Sequence, residues 1–240
     1  MLDTHDQAIE AERTPEIARL PQADSAPPAP PCAMVIFGAA GDLTKRLVVP
    51  ALYNLVQAGQ LSNQFQLVGF DHNAGSTEQW RKGLTATMED FVTQGGEFHV
   101  DAIDQSAWRW LSDRMSYLQG DLNDPGAYAR LRDHLAELDK TAATAGNYFF
   151  YLAVSDRFFA PAIARLGAAG LMTEKDGQWR RVVVEKPFGH DLATAKALNV
   201  ELTRYAHEQQ VYRIDHYLGD RKSTRLNSSH AIPSRMPSSA

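Results

Sequence analysis

The sequence has a single cysteine, Cys32, among 240 residues, so no internal disulfide can form, which fits a reducing compartment. It has no basic excess either: 24 Lys and Arg stand against 29 Asp and Glu, a net charge of −5. A surface that neutralises nucleic-acid phosphates needs clustered cations, so a nucleic-acid partner is argued against. No apolar run approaches the ~18 residues of a membrane-spanning helix, which excludes a membrane span. The acidic start also lacks the basic-then-apolar order of a secretory signal. What remains is an ordinary soluble globular composition, expected in the cytoplasm, and nothing points to a metal site.

The two ends have little of what builds a core. Residues 1–31 carry six acids against Arg13 and Arg19 and then run into Ala-Pro-Pro-Ala-Pro-Pro, an extension expected to be disordered because it cannot bury enough apolar surface to offset its ordering entropy. Residues 220–240 hold six serines, two prolines and a local charge of +3, with no periodicity of 2 or 3.6. Nearly all the apolar content lies between them, in residues 32–219.

There, short apolar runs at Met34–Phe37, Gln66–Phe70, Met115–Leu118, Asn147–Leu152, Arg181–Glu185 and Val211–Arg213 predict buried strands. Helical patterns separate them, at about 77–93, 125–138, 157–170 and 192–207, and an apolar stripe of Leu47, Ala51, Leu52, Leu55 and Val56 predicts another, with Pro50 kinking or restarting it and Gly59 stopping it. Residues 95–113 are the least regular, with a short helix expected around Trp108, Trp110 and Leu111. Strand-then-helix alternation with right-handed crossovers predicts an α/β fold. Its sheet is expected to be doubly wound and mostly parallel, covered on both faces, as in Rossmann-like NAD(P)-binding domains.

Four stretches carry chemistry. The first strand runs into Gly38-Ala39-Ala40-Gly41-Asp42-Leu43, where glycine lets backbone approach a pyrophosphate and the following helix offers unpaired N–H groups to that anion. Ala40 and Leu43 replace two glycines of the usual G-x-G-x-x-G, and a plain strand-to-helix turn is the alternative. The second strand ends in Asp71-His72. An acid there accepts hydrogen bonds from the adenosine ribose and favours NAD; opening a turn before Asn73 and Gly75 is the equal alternative. The fifth strand ends in Glu185-Lys186-Pro187-Phe188-Gly189, placing Lys186 at a carboxyl end of the sheet as a donor toward a substrate hydroxyl, or as an ordinary exposed lysine. The sixth leads to Arg213-Ile214-Asp215-His216-Tyr217-Leu218-Gly219, a dense polar set able to ligate phosphate or sugar oxygens, or incidental polar residues where the chain leaves the core.

Taken in order, the first stretch with its continuation Thr44-Lys45-Arg46, then Tyr151-Leu152-Ala153, then the Glu185–Gly189 and Arg213–Gly219 stretches resemble the glucose-6-phosphate dehydrogenase family over residues 34–219. The resemblance implies oxidation of glucose 6-phosphate at C1 to 6-phosphogluconolactone, in the oxidative pentose phosphate pathway, by a full-length parent that is a homo-oligomer. It implies that Gly38, Ala39, Ala40, Gly41, Asp42 and Leu43 frame the cofactor pyrophosphate and that Tyr151, Leu152 and Ala153 lie along the nicotinamide half. Lys186 would touch substrate and cofactor, His216 and Tyr217 would bind the substrate phosphate, and Asp215 would orient a general-base histidine that lies beyond this chain. NADP is the cofactor implied, with NAD or dual use opened by Asp71 and His72 where the family usually has arginine.

Other departures are Asp220 in place of a lysine, Leu47 in place of a lysine, and Ser155-Asp156 in place of a Pro-Pro pair. Agreement stops after Gly219, so residues 220–240 are expected to be a non-native tail. The domain expectation is a dinucleotide-binding domain at 32–210 and the start of a substrate region at 211–219, with a second α+β domain largely missing and negligible turnover from the chain alone. Two other readings compete: a sugar dehydrogenase of the glucose–fructose oxidoreductase type, which the Arg213–Gly219 stretch speaks against, and a non-catalytic NAD(P)-sensing module.

Overall fold

Five consecutive apolar residues, Ala33–Phe37, form strand β1, and all five are buried. Only a strand covered on both faces can place such a run, because successive side chains point to opposite sides. In the computed structural model, which describes residues 27–94, 102–186 and 192–214, β1 sits inside a six-stranded sheet. The other strands are β2 (Gln66–Asp71), β3 (Met115–Gln119), β4 (Tyr148–Leu152), β5 (Arg180–Glu185) and β6 (Val211–Ile214). Their order is β3-β2-β1-β4-β5-β6 and every pairing is parallel. This is the doubly wound order expected from the alternation of patterns, with the strand order reversing between β1 and β4.

The alternation within β1 divides the core. Ala33, Val35 and Phe37 face α4 (Pro125–Ala142), α5 (Phe159–Ala168) and α6 (Leu192–Tyr205). Met34 and Ile36 face α1 (Val49–Gln57), α2 (Thr77–Gln94) and α3 (Gln105–Asp113). On the first face the rings of Phe37 and Phe70 lie 4.9 Å apart and those of Phe37 and Phe150 6.4 Å apart, so aromatic side chains from three neighbouring strands stack into one layer.

The strand boundaries agree with the apolar runs to within a residue, and helix α4 extends four residues past Leu138. In the irregular stretch, α3 forms because the Asp104 carboxylate accepts from the amides of Ser106 and Ala107. The Ser106 hydroxyl, then those amides, hold that carboxyl below the usual range. Helix α1 differs from expectation. Pro50 lies in its first turn, after a π-helical segment at Thr44–Val48, but the buried face is Val48, Val49, Leu52 and Tyr53. Leu47 and Leu55 of the expected stripe are 41% exposed, and Ala51 is exposed too. The hydroxyl of Tyr53 accepts from the Asp104 amide, which anchors α1 to the entrance of α3.

Candidate dinucleotide site

The turn after β1 starts at Gly38 with φ +85°, a left-handed conformation that glycine adopts without steric cost. A Cβ there would collide with the backbone carbonyl of Ala153, at the end of β4. Gly38 therefore lets two neighbouring strand ends close at the point where the sheet order reverses, the place where open α/β sheets bind ligands.

The amides of the turn are mostly spoken for. Gly38 N–H and Ala39 N–H donate to the Phe70 carbonyl at 3.0 and 3.3 Å, and Gly41 N–H to the Gly38 carbonyl at 2.9 Å. The Ala40 N–H donates to Asp71 Oδ2 at 2.9 Å. What the turn presents instead is the start of the next helix, where the amides of Asp42, Leu43 and Thr44 have no carbonyl one turn behind them inside the helix. Those donors, with the partial positive charge of the helix start, suit an anionic diphosphate. Thr44, fully buried, fixes the arrangement by donating its hydroxyl to the Gly38 carbonyl at 2.9 Å. Trp80 adds a second brace through its Nε1–H, which donates to the Ala39 carbonyl at 2.9 Å.

Asp71 stands at the end of β2 as expected, but it is 6% exposed and its oxygens are occupied. Besides the Ala40 amide on Oδ2, Oδ1 accepts from Asn73 N–H at 3.0 Å and Asn73 Nδ2 at 2.9 Å. The exposed His72 ring lies 3.2 Å away through Nδ1. Of the two readings of this carboxylate, a partner of the adenosine ribose or the opening of a turn before Asn73 and Gly75, the second describes the geometry seen, with three N–H donors of the two loops converging on it.

Beside the turn lies a cleft of about 370 Å³, lined by Ala40 and half-buried Lys45 on one wall and by Asn73, Gly75, Ser76, Gln79, Trp80 and Tyr117 on the other. The sequence assigned no role to Lys45, which follows the Gly38–Leu43 turn, or to Trp80, because their place in the cleft depends on the turn and α2 packing together.

Across β1, Tyr151 is half-buried and its hydroxyl donates to the Glu185 carboxylate on neighbouring β5. Burial, then that carboxylate, push the phenol well above its ordinary pKa, so it stays protonated. Lys186 follows β5 and is exposed. Gly38 to Leu43, Tyr151 to Ala153 and Lys186 thus gather at the carboxyl ends of β1, β4 and β5, the same edge of one parallel sheet. Pro187, Asp215, His216 and Tyr217 lie outside the described residues. Among the described residues no group of three or more His, Cys, Asp or Glu could hold a metal, and no helix is long and apolar enough to cross a membrane.

The family model described as "Glucose-6-phosphate dehydrogenase, NAD binding domain" matches residues 35–224. The chain belongs to the glucose-6-phosphate dehydrogenase family. The match runs past Gly219, where the sequence motifs stop, into the first residues of the Ser-rich end. Among curated members of the family, glucose-6-phosphate 1-dehydrogenase of Chlamydia muridarum is 40% identical over 196 residues, 80% of this chain and 38% of the relative. The Bacillus subtilis enzyme is 37% identical over 190 residues, 79% of this chain and 36% of the relative. A solved glucose-6-phosphate dehydrogenase in complex with its substrate glucose 6-phosphate superposes with a TM-score of 0.68 at 28% identity, over 82% of this chain and 39% of that one. The Mycobacterium avium enzyme gives 0.64 at 30% identity, over 78% and 37%. The chain thus spans under two-fifths of the length of these relatives, and the part it spans is the family's nicotinamide-dinucleotide-binding domain.

Proposed function

We propose that this chain forms the coenzyme-binding part of an enzyme that oxidises glucose 6-phosphate at C1 to 6-phosphogluconolactone, with NADP as the acceptor and NAD as a second one. The observation that carries the reading is the Gly38 turn: a cradle that a Cβ would fill, at the reversal point of the sheet, opening onto helix-start amides. That donor set fits a dinucleotide pyrophosphate. Membership of the family, and a solved member bound to glucose 6-phosphate, support the substrate.

Lys45 in the cleft wall supports NADP, since its ammonium suits a 2′-phosphate, while the carboxylate of Asp71 faces inward and does not oppose that charge. When bound, the nicotinamide supplies the acceptor for the C1 hydrogen. The backbone from Tyr151 to Ala153 borders its half of the site, and Lys186 holds a substrate hydroxyl close to it. Asp215, His216 and Tyr217 are proposed to complete the sugar-phosphate site, and a homo-oligomer in the cytoplasm is the proposed setting of the whole enzyme.

Calorimetric titration of the chain with NADP, NAD and glucose 6-phosphate tests the reading. Saturable binding of NADP, with NAD binding as well, is expected; a chain that binds neither dinucleotide overturns it.

A further inference from the structure

We propose that Asp71 is a positioning residue for the dinucleotide site: its carboxylate locks the Gly38–Gly41 turn to the loop after β2 and does not choose between NAD and NADP. The inference rests on the dinucleotide-binding reading above.

Three observations carry it. A carboxylate offers about four acceptor positions, and three are taken by N–H donors from Ala40 and Asn73. Those donors come from the two walls of the cleft: Ala40 from the turn after β1 and Asn73 from the loop after β2, both lining it, whereas Asp71 does not. Lastly, Asp71 is itself held from behind, since its carbonyl accepts from Gly120 N–H at 2.8 Å and its strand pairs with Gln119. One buried carboxylate at the end of β2 therefore ties its own loop to a turn 31 residues earlier in sequence. Buried and so bonded, it cannot swing toward a ribose without leaving backbone donors unpaired, which is costly. The residue that in related folds discriminates the cofactor is here spent on the shape of the site.

The test uses the full 240-residue chain. Asp71→Asn keeps the side chain's shape but replaces one acceptor oxygen with a donor, so one of the two loops loses its tie. Affinities for NAD and NADP are expected to fall together, by about tenfold each, as for the loss of one charge-assisted hydrogen bond. Their ratio should stay within about twofold of the unmodified chain. A merely structural defect elsewhere would not be reversed by a conservative acid, so Asp71→Glu is expected to recover part of both affinities in step. If Asp71→Asn instead raises NADP affinity relative to NAD by tenfold or more, or leaves both unchanged, the proposal is overturned.

Amide hydrogen exchange of Ala40 in the unmodified chain tests the same point without a variant. Protection that persists or deepens when NAD or NADP binds is expected, and faster exchange on binding would mean that the carboxylate has turned to the ligand. An unmodified chain that binds neither dinucleotide overturns the functional reading itself, and is told apart by its lack of any binding signal.

Discussion

The carbonyl of Ala153 occupies the space a Cβ of Gly38 would need, closer than the 3.0 Å below which something must shift. The two residues end adjacent parallel strands, and the Ala153 N–H donates to the Phe37 carbonyl at 3.0 Å, so neither backbone can retreat without breaking the sheet. Gly38→Ala is expected to cost at least about 3 kcal/mol in denaturant unfolding, from the collision and the positive φ together. Gly59→Ala is the control: its φ is +64° but nothing lies within 4 Å, so only about 1 kcal/mol should be lost. Equal losses at the two sites would contradict the account.

Thr44→Val removes the hydroxyl donor to Gly38 and nearly preserves volume. The Gly38 carbonyl keeps the Gly41 amide, so a modest loss of about 1 kcal/mol is expected. Dinucleotide affinity should fall with it because the turn loosens. Unchanged affinity with reduced stability would separate Thr44 from the site.

The central strands β1, β2 and β5 were legible because a parallel sheet covered on both faces requires near-continuous apolar runs. The edge strands β3 and β6 were expected to be buried too, but only Met115 and Val211 of them are, because each has a neighbouring strand on one side alone in the described sheet. The face of α1 was not legible. Apolar residues at 47, 48, 49, 51, 52, 53, 55 and 56 nearly encircle that helix, so periodicity alone cannot choose a side. The choice is made by packing on α3, where Tyr53 meets the Trp108 ring at 6.5 Å. The position of Asp71 at a strand end was equally legible, but not its direction. That depends on two turns folding toward each other, which no local pattern records.

His134 on α4 shares a hydrogen bond of 2.8 Å with Ser116 of β3, and burial lowers the pKa of its ring from 6.5. The unfolded chain therefore takes up the proton first on acidification. Stability should be full above the unfolded value and decline as the pH falls through about 6.5 toward the folded value. Chemical denaturation at pH 7.5 and 5.5 is expected to show this loss, and His134→Gln to reduce it. The lowered carboxyls of Asp104 and Glu174 lose their stabilising contribution only as the pH falls through the ordinary carboxylate values of 3.8 and 4.5 and below, so they do not confuse a comparison between pH 7.5 and 5.5. An unaltered slope in the variant would rule out His134 as the source.

Tyr151→Phe deletes the hydroxyl that donates to buried Glu185. A loss of about 1–3 kcal/mol is expected, since a buried carboxylate gives up one of its donors. In a double-mutant cycle with Glu185→Gln the two effects should couple rather than add. Because the phenol is pushed upward in pKa, the cost should be the same at pH 6 and pH 9. A pH-dependent cost would place the titration elsewhere.

The sheet order has one more consequence. Strands β1 to β3 come from residues 33–119 and β4 to β6 from residues 148–214, so the sheet consists of two successive sets of strands, joined to each other among the described residues by the β1–β4 pairing. Gly38 ends a strand of the first set and Ala153 one of the second. On the proposed function, a dinucleotide seated on that turn with its far end beside Tyr151 would span the join like a staple. Its binding energy would strengthen the adhesion between the two sets as well as occupying the site.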